Sequence, residues 1–398
     1  MRKDNGVVMV FGVGSLQHSI ICRAKAMGLY TVGIDPLPDA ACRDDVDAYE
    51  VVGGQDFEKT MEVATKYGVS AIVTAATDKP LVMMARVAQE MQLPFYSVDT
   101  ARWSTDKYSM KSRFNDAGIP CAKGKLMTSL NDVDGLNFPV VVKPRDNSGS
   151  RGVMVCRDQN QLAWAFNEAL AFTKMDSVLV EEFIEGQEYS IEALHQGGKN
   201  WVVQFTEKTT TPYPYNVEMG HFQPATLPEM VKDEIRLIID KISAALHFEN
   251  CASHTELKIN SRGIFVIETS PRSGGDMISS HLVPLSTGIN MEELLLRMAV
   301  GETISVPQAT EGMVSCIRYL QLPEGVVSDI SPLVREVGDW PGVADFCFDL
   351  GIGDKVPQIH SSLDRYGHLM LHGKDRNEVE TMAARYLKAI NGFITITT

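Results

Sequence analysis

Apolar and polar positions alternate over the first hundred residues in the way that strands separated by helices produce. Val7–Phe11 is a short apolar run of the buried parallel-strand type, followed by a glycine turn and a helix pattern over residues 16–27. A second strand pattern covers residues 31–35, and a helix pattern at Phe57–Tyr67 precedes a strand pattern at residues 71–74. This alternation predicts βαβ units and a mostly parallel sheet, with functional groups at the carboxyl ends of its strands.

The pattern changes after the turn-forming residues 116–120. Strand patterns at residues 139–143 and 177–181 flank a helix pattern at residues 159–173. Further strand patterns predict antiparallel pairing, and they lie at residues 189–194, 201–207, 254–259 and 264–269. Residues 213–225 are too irregular for the core of a strand, so we interpret them as a functional loop.

The last ninety residues have a pattern of their own. Strands are predicted at residues 314–320 and 368–371, and a final helix is predicted at residues 378–390. We therefore expect a separate α+β unit at the C-terminus, in a chain that mixes α/β and α+β architecture.

Composition excludes several classes of function. The 398 residues include 37 Lys and Arg against 51 Asp and Glu, a formal net charge of -14. Such a surface repels phosphate backbones and anionic lipid, so we expect no nucleic-acid and no membrane partner. The seven cysteines are scattered without a Cys-x-x-Cys pair, and no apolar run approaches about twenty residues, which predicts a cytoplasmic protein.

The first glycine turn resembles part of a dinucleotide-binding fingerprint. Gly12 and Gly14 follow the first strand and Asp35 ends the second, but Gln17 stands where the third glycine is needed. The two interpretations are a nicotinamide cofactor held at the helix N-terminus and a tight turn between strand and helix. The first would make the protein an oxidoreductase.

A second glycine-containing segment predicts a phosphate site. A strand delivers Lys143, and a loop follows with the small residues Ser148, Gly149, Ser150 and Gly152. Small residues let backbone N–H groups approach phosphate oxygens, and the lysine adds a compact positive charge. The segment lacks the Gly-Lys-Ser/Thr ending of a P-loop. The alternative interpretation is an ordinary polar hairpin turn.

Two glutamates are predicted to face each other across a hairpin. Residues 255–259 and 264–268 are strand-like and are joined by Asn-Ser-Arg-Gly. If Lys258 lies opposite Val266, then Glu256 lies opposite Glu268, and opposed residues share one face of the sheet. Two carboxylates this close need a cation between them, and Mg²⁺ suits a site beside phosphates. The alternative is a solvated surface hairpin.

Arg272 follows the second glutamate, at the point where the strand pattern ends. Its planar guanidinium could clamp a carboxylate or a phosphoryl group in transfer, or it could simply be solvated. Upstream, Glu218 and His221 lie in the segment interpreted as a loop, where acidic and imidazole groups are often functional.

Taken together, these residues resemble the ATP-grasp superfamily, and most closely its L-amino acid ligase branch. The resemblance spans nearly the whole chain. It implies an ATP-grasp fold with an N-terminal Rossmann-like parallel-sheet domain at residues 1–103 and a lid subdomain at 104–185. A large subdomain with the metal site would follow at residues 186–308, and a C-terminal α+β domain at 309–398.

The resemblance also assigns nucleotide-binding roles. It implies that Lys107 and Lys143 reach ATP phosphates and that residues 148–152 close over them. Backbone groups at Glu181, Phe183 and Ile184 would bind adenine, and Glu188 would bind the ribose.

Metal and substrate roles follow in the same way. Glu256 and Glu268 would bind two Mg²⁺ ions, or Mn²⁺ in their place, while Glu218, His221 and Arg272 would contact substrates and intermediate. One departure from the family pattern stands out. Ser270 occupies the position where the family usually has an asparagine ligand, which predicts a weaker second ion. Asp276 lies where side-chain size and charge would shape the acceptor pocket.

The implied activity is ATP-dependent ligation of a carboxylate to an amine, through an acyl phosphate and with release of ADP and phosphate. The expected partners are small molecules, amino acids in the first place, and a homodimer is left open. Two alternatives use the same ATP site. One is a carboxylase-type enzyme acting on a nucleotide precursor, and the other is a non-catalytic nucleotide sensor.

Overall fold

The computed structural model describes residues 6–133, 135, 137–310 and 312–397. Within these ranges the strands are β1 Val7–Phe11, β2 Tyr30–Asp35, β3 Ala48–Val51, β4 Ala71–Val73, β5 Gly124–Met127, β6 Val140–Pro144, β7 Met154–Cys156, β8 Val178–Glu182, β9 Gln187–Gln196, β10 Lys199–Thr210, β11 Glu218–Gln223, β12 Cys251–Asn260, β13 Gly263–Ser270, β14 Val314–Tyr319, β15 Val326–Ile330, β16 Val343–Phe348, β17 Gly367–Gly373 and β18 Ile394–Thr397.

The α-helices in the same ranges are α1 His18–Ala26, α2 Phe57–Tyr67, α3 Leu81–Met91, α4 Val98–Thr105, α5 Lys107–Asp116, α6 Gln159–Ala171, α7 Glu229–Leu246, α8 Val283–Thr287, α9 Met291–Ala299 and α10 Arg376–Gly392. None of these helices is both long enough and apolar enough to cross a membrane.

The N-terminal sheet is parallel, as predicted. Its strand order is β3-β2-β1-β4, and every residue of β1 is buried, which explains why that strand is a continuous apolar run. Helix α2 begins where the Asp56 side chain accepts a hydrogen bond from the Lys59 amide, and it ends at Gly68 in the left-handed conformation. Both ends of α2 therefore lie where the sequence predicts them.

A small antiparallel sheet with the order β5-β8-β6-β7 follows. Helix α6 covers one face of it, with Leu162 and Phe166 buried among Val140, Val142 and Val180. This sheet carries Lys143 and the loop after it.

The largest sheet has eight antiparallel strands in the order β13-β12-β9-β10-β11-β14-β17-β16. One sequence-based interpretation was wrong, because residues 218–223 form the strand β11 in the middle of this sheet. Strands β10 and β14 pair with β11 on its two sides. Five of its six residues are buried, polar ones included, so it lacks the apolar–polar alternation of a half-exposed strand.

The C-terminal segment continues the same sheet. Strand β14 pairs with β11, and β17 and β16 extend the ladder beyond it. Its own core includes Val379, Ala383 and Ile390 of α10, packed with Leu369 and Leu371 of β17. The boundary at residue 308 thus divides a continuous sheet, and the four-part domain division remains a prediction.

Candidate active site

One face of the large sheet collects most of the predicted site residues. Residues directly opposed on neighbouring antiparallel strands share a face. Lys208 of β10 lies opposite His221 of β11, and Glu188 of β9 lies opposite Lys258 of β12. The pairing of the antiparallel strands therefore brings residues that are far apart in sequence together on one polar face of the sheet.

Glu256 and Glu268 are opposed, as predicted, but through a different register. Lys258 lies opposite Phe265, not Val266, and the ladder shifts at a bulge that leaves Ile267 unpaired between Val266 and Glu268. Without the bulge, Glu256 would lie opposite Ile267, and Glu268 would point to the other face. The bulge therefore creates the carboxylate pair.

Lys107 lies at the first position of α5 and points at this pair. Its Nζ is 2.7 Å from Glu268 Oε2 and donates a hydrogen bond of 2.9 Å to the backbone carbonyl of Asn147. Burial lowers the pKa of Lys107, but the charge of Glu268, supported by Asp78 and Glu256, more than compensates and raises it. Lys107 is therefore a fixed positive charge beside both glutamates.

Lys143 is buried and forms an ion pair with Glu181. The Glu181 carboxylate also lies 3.4 Å from Lys111 Nζ. Burial raises the pKa of Glu181, but the two lysines lower it further, so the group is ionised. Glu181 thus contributes its side chain to holding Lys143, in addition to the backbone role predicted for it.

The loop after β6 has the backbone that its glycines predict. Gly149, Ser150 and Gly152 all adopt left-handed conformations, with φ of 70°, 57° and 72°. The backbone carbonyl of Ser148 accepts a hydrogen bond of 3.1 Å from Arg151 Nε, so this arginine tightens the loop. Ser362 of the C-terminal segment donates a hydrogen bond of 3.4 Å to the Gly149 carbonyl.

Beside the glutamate pair lies an open polar cleft of 590 Å³. Glu188, Lys208 and Lys258 line it, together with Tyr213, whose ring meets that of Phe183 edge to face at 5.0 Å. The Phe183 amide donates a hydrogen bond of 3.1 Å to the Pro139 carbonyl, so its carbonyl is the backbone group left for a ligand. Ile184 is buried. The Tyr213 ring, backed by Phe183, and the Glu188 carboxylate thus border the cleft. Phe183 and Glu188 are the residues predicted to contact adenine and ribose.

Lys208 was missed by the sequence analysis, although it lies at the centre of the site. Its Nζ is 2.7 Å from Glu256, 3.0 Å from Glu188 and 3.2 Å from Glu218. Burial lowers the pKa of Lys208, but the three carboxylates raise it well above its usual range. The carboxylate oxygens of Glu188, Glu218 and Glu256 lie within 4.8 Å of one another, so the ammonium occupies the centre of a group that could hold a metal ion.

Arg272 is held by a carboxylate from the N-terminal sheet domain. Its Nε and Nη2 donate to Asp78 at 2.9 and 3.1 Å, and Ser270 Oγ donates to Asp78 at 2.5 Å. Burial raises the pKa of Asp78, but Arg272 lowers it further, so the carboxylate is ionised. Asp78 thus links the segment after β4 of the parallel sheet to Ser270 and Arg272 at the end of β13.

Glu218 and His221 project from β11. Burial raises the pKa of Glu218, and Lys208 only partly opposes this shift. His221 Nε2 lies 3.0 Å from Asp276 Oδ2, and Asp276 also receives both Nη groups of Arg365 at 2.7 and 2.6 Å. Asp276, the predicted acceptor-pocket residue, therefore forms a partly buried ion pair with Arg365 of the C-terminal segment.

The donor set fits magnesium. Glu256 and Glu268 place two carboxylates on one face, and both already neutralise ammonium groups, Lys208 and Lys107 respectively. Mg²⁺ prefers one or two carboxylates together with substrate phosphates and water. Ser270 Oγ is directed to Asp78 and offers a poorer third ligand than an amide oxygen.

The first glycine turn is filled by the chain itself. Gln17 is buried, accepts a hydrogen bond of 3.1 Å from the Gly14 amide and donates one of 2.6 Å to the Ala75 carbonyl. Asp35 accepts a hydrogen bond of 3.0 Å from the Val13 amide. The groups that would meet a dinucleotide are thus engaged locally, which favours the tight-turn interpretation.

Comparisons with known proteins agree with this geometry. The model of the ATP-grasp domain matches residues 136–281, and that of the L-amino acid ligase C-terminal domain 2 matches residues 318–392. Alanine–anticapsin ligase from Bacillus amyloliquefaciens is 28% identical over 280 residues, which are 63% of this chain and 58% of that protein. The chain thus spans less than two thirds of the length of these curated relatives.

Solved structures show the same fold. L-amino acid ligase from Bacillus licheniformis superposes with a TM-score of 0.83 at 20% identity, covering 100% of this chain and 99% of that one. Phosphoribosylglycinamide synthetase from Anaerococcus prevotii gives 0.76 at 20% identity, covering 99% and 100%. The predicted ATP-grasp fold is confirmed.

Residues 136–281 therefore belong to the ATP-grasp superfamily. Residues 318–392 resemble the L-amino acid ligase branch of that superfamily.

Three residues of the site were missing from the sequence analysis. Lys208 follows Gln204 and Thr206 at intervals of two, and this spacing places three polar side chains on one face of β10. Asp78 lies just beyond the carboxyl end of a parallel strand, where function concentrates. Arg365 lies in an irregular segment far along the chain, and no local pattern marks it.

Proposed function

We propose that this protein is an ATP-dependent carboxylate–amine ligase that joins two amino acids and releases ADP and phosphate. One observation carries the proposal. The opposed carboxylates of Glu256 and Glu268 lie on the same sheet face as Lys208, and Lys107 contacts Glu268 from above that face. Such an arrangement suits a phosphoryl group in transfer, where positioning and charge neutralisation supply the rate.

In the proposed complex, the cleft beside Phe183 and Glu188 takes adenine and ribose. Lys107 and Lys143 reach the phosphates, and residues 148–152 close over them and exclude water. Glu256 and Glu268 would hold Mg²⁺, two ions in the proposed arrangement, which would supply positive charge beside the phosphates. Mn²⁺ offers the same coordination chemistry.

The reaction then has two steps. An oxygen of the carboxylate substrate attacks the γ-phosphorus, the bond to the bridging oxygen breaks, and ADP leaves with that electron pair. The amine nitrogen attacks the acyl carbon of the resulting acyl phosphate, and phosphate departs as the amide forms. Arg272 stabilises the charge on the phosphoryl and acyl oxygens. Glu218 accepts the proton of the amine, because burial raises its pKa and makes it a stronger base than an exposed carboxylate.

A carboxylase-type activity is the second candidate, since N5-carboxyaminoimidazole synthetase from Staphylococcus aureus, in complex with ADP, has a similar fold, with a TM-score of 0.76 at 16% identity. The test therefore measures ADP release with Mg²⁺ and ATP in parallel arms, one with amino acid pairs and one with bicarbonate. Amino-acid-dependent release with an amide product supports the proposal. Stimulation by bicarbonate alone favours the carboxylase alternative, and tight ATP binding without turnover favours a sensor.

The four-part domain division, the homodimer and the cytoplasmic location are further parts of this proposal. The cytoplasmic location rests on the seven cysteines, all of which are free thiols.

A further inference from the structure

His221 has one ring nitrogen held and one without a partner. Its side chain is 1% exposed, and Nε2 lies 3.0 Å from a carboxylate oxygen of Asp276. Nδ1 is buried and has no hydrogen-bond partner among the described residues. An ionised carboxylate only accepts hydrogen bonds, so Nε2 carries the proton and donates it. In a neutral ring, Nδ1 then has a free lone pair.

Asp276 is itself fixed by the C-terminal segment. Arg365 donates to it through Nη1 at 2.7 Å and Nη2 at 2.6 Å, a bidentate pair. Arg365 Nε donates to the Ser362 carbonyl at 2.9 Å, and the guanidinium lies 3.8 Å from the centroid of the Tyr319 ring. Arg365 is therefore held on several sides and has little freedom to turn elsewhere.

The backbone at Asp276 supports this interpretation. Asp276 and Met277 both adopt left-handed conformations, with φ of 52° and 59°. Two consecutive residues other than glycine in this region are strained, and such a backbone persists only when the surroundings hold it. The ion pair with Arg365 is the strongest local contact of Asp276, so the carboxylate has a built orientation.

We propose that Arg365 is a positioning residue for the ligase reaction, because it holds Asp276 so that His221 presents an unprotonated Nδ1 to the attacking amine. This inference rests on the proposed function. An ionised carboxylate substrate has no hydrogen to donate, whereas an amine substrate brings N–H groups. The buried lone pair of Nδ1 therefore orients the amine by accepting a hydrogen bond from it.

The charges that face His221 make the proposal testable. Burial lowers the pKa of His221 most, Asp276 raises it, and Lys208 and Arg365 lower it further. Two further titratable groups lie nearby, because Glu218 on the same strand is 3.2 Å from Lys208 and the Tyr319 ring lies under Arg365. Arg365→Met removes a positive charge and raises the pKa of His221, whereas Asp276→Asn lowers it. The acid limb of the pH profile should therefore move to higher pH in the first variant and to lower pH in the second.

The kinetic experiment measures kcat/KM for the amine substrate against pH in both variants and in Arg365→Lys. The lysine variant keeps the charge but loses the bidentate geometry, so its acid limb should stay in place while kcat/KM falls about tenfold. The KM for ATP should change less than twofold in all three. Shifts in the same direction, or no shift with a uniform loss of rate, would leave Arg365 a structural role only and overturn the proposal.

A second measurement needs no turnover. NMR of protein with ¹⁵N-labelled histidines reports the tautomer of each ring, and His221→Gln assigns the signal. We expect the neutral Nε2–H tautomer for His221 in the native protein and a mixture in Arg365→Met. A charged ring or an Nδ1–H tautomer in the native protein refutes the positioning role. Absence of amide formation with any amino acid pair, alongside the expected tautomer, refutes the proposed function instead.

Discussion

Glu256 faces Glu268 because Ile267 is bulged out of the ladder between β12 and β13. The extra residue shifts the register by one position, and in a sheet a one-residue shift decides which face a side chain occupies. The hairpin turn alone would have paired Glu256 with Ile267. Lys107 and Lys208 then neutralise the two carboxylates at 2.7 Å each.

The proposed metal site predicts that Glu268→Gln lowers amino-acid-dependent ADP release by at least about 100-fold. The amide keeps the shape of the side chain and can still accept a hydrogen bond from Lys107, so we expect circular dichroism and the unfolding temperature to stay near those of the native protein. Glu234→Gln, on the exposed side of α7, is the matched control and should keep full activity. Near-normal turnover in the Glu268 variant would contradict the assignment.

The position of Lys208 among three carboxylates predicts that Mg²⁺ can partly replace its charge in stabilising the fold. Lys208→Met leaves the carboxylates of Glu188, Glu218 and Glu256 without their shared counter-ion, which should lower the free energy of unfolding by about 3–5 kcal/mol. Mg²⁺ at millimolar concentration should restore part of this loss, because the three carboxylates are close enough to bind a cation.

Chemical denaturation with and without Mg²⁺ checks this prediction. Lys241→Met on the exposed surface of α7 serves as control and should respond to neither change. An unchanged stability of Lys208→Met, or a stability insensitive to Mg²⁺, would show that Lys208 is not the counter-ion of the cluster.

The sequence predicted β1, β2 and β4 of the parallel sheet, the helices α2, α6 and α10, and the antiparallel hairpin, because each has a clear periodicity or capping signal, but it missed the edge strand β3. It failed at β11. A central strand buried on both faces, with Glu218 and His221 turned into a polar site, does not alternate in the usual way.

Side-chain partners were harder to predict than elements. Lys107, Lys143 and the two metal-site glutamates come from recognisable local motifs. The partners on other elements were missed: Lys208 binds Glu256, Asp78 binds Arg272, and Arg365 binds Asp276, in each case across a separation that only the fold closes. The bulge at Ile267 was also not predicted. Glu256 does lie opposite Glu268, as predicted, but the pairing of Lys258 with Val266 from which this was argued was wrong.

The burial of His195 predicts that the free energy of unfolding decreases at acidic pH. It is buried, with Nε2 2.7 Å from Ser253 Oγ and Nδ1 2.7 Å from Asn200 Oδ1, and burial lowers its pKa from 6.5 to about 4 despite the opposing effect of Asn200. Below pH 6.5 the unfolded chain binds a proton that the folded protein does not bind. The contribution is therefore complete above pH 6.5 and is lost as the pH falls towards 4, a change of about 3 kcal/mol.

Unfolding by urea between pH 7 and pH 4 measures this effect. His195→Gln should be less stable at pH 7 but should lose less stability on acidification than the native protein. His18→Gln, at an exposed histidine, is the control and should follow the native curve. Parallel curves for the native protein and His195→Gln would exclude His195 as the source.

The hydroxyl of Ser270 is a poor metal ligand, so replacing it by an amide should strengthen the binding of Mg²⁺. Ser270→Asn supplies an amide oxygen to the metal site while its NH₂ group can still donate to Asp78. We expect the Mg²⁺ concentration for half-maximal ATP turnover to fall several-fold. Ser328→Asn, on an exposed strand position, is the matched control. An unchanged Mg²⁺ dependence would mean that residue 270 does not contact the metal.

The central claim is that the protein forms an amide from two amino acids at the expense of ATP. The most direct measurement incubates the purified protein with ATP, Mg²⁺ and all pairs of amino acids, and follows phosphate release together with product mass. We predict stoichiometric release of phosphate with at least one pair and a product whose mass equals the sum of the two amino acids less one water. ATP hydrolysis without such a product, or no turnover with any pair, would contradict the account.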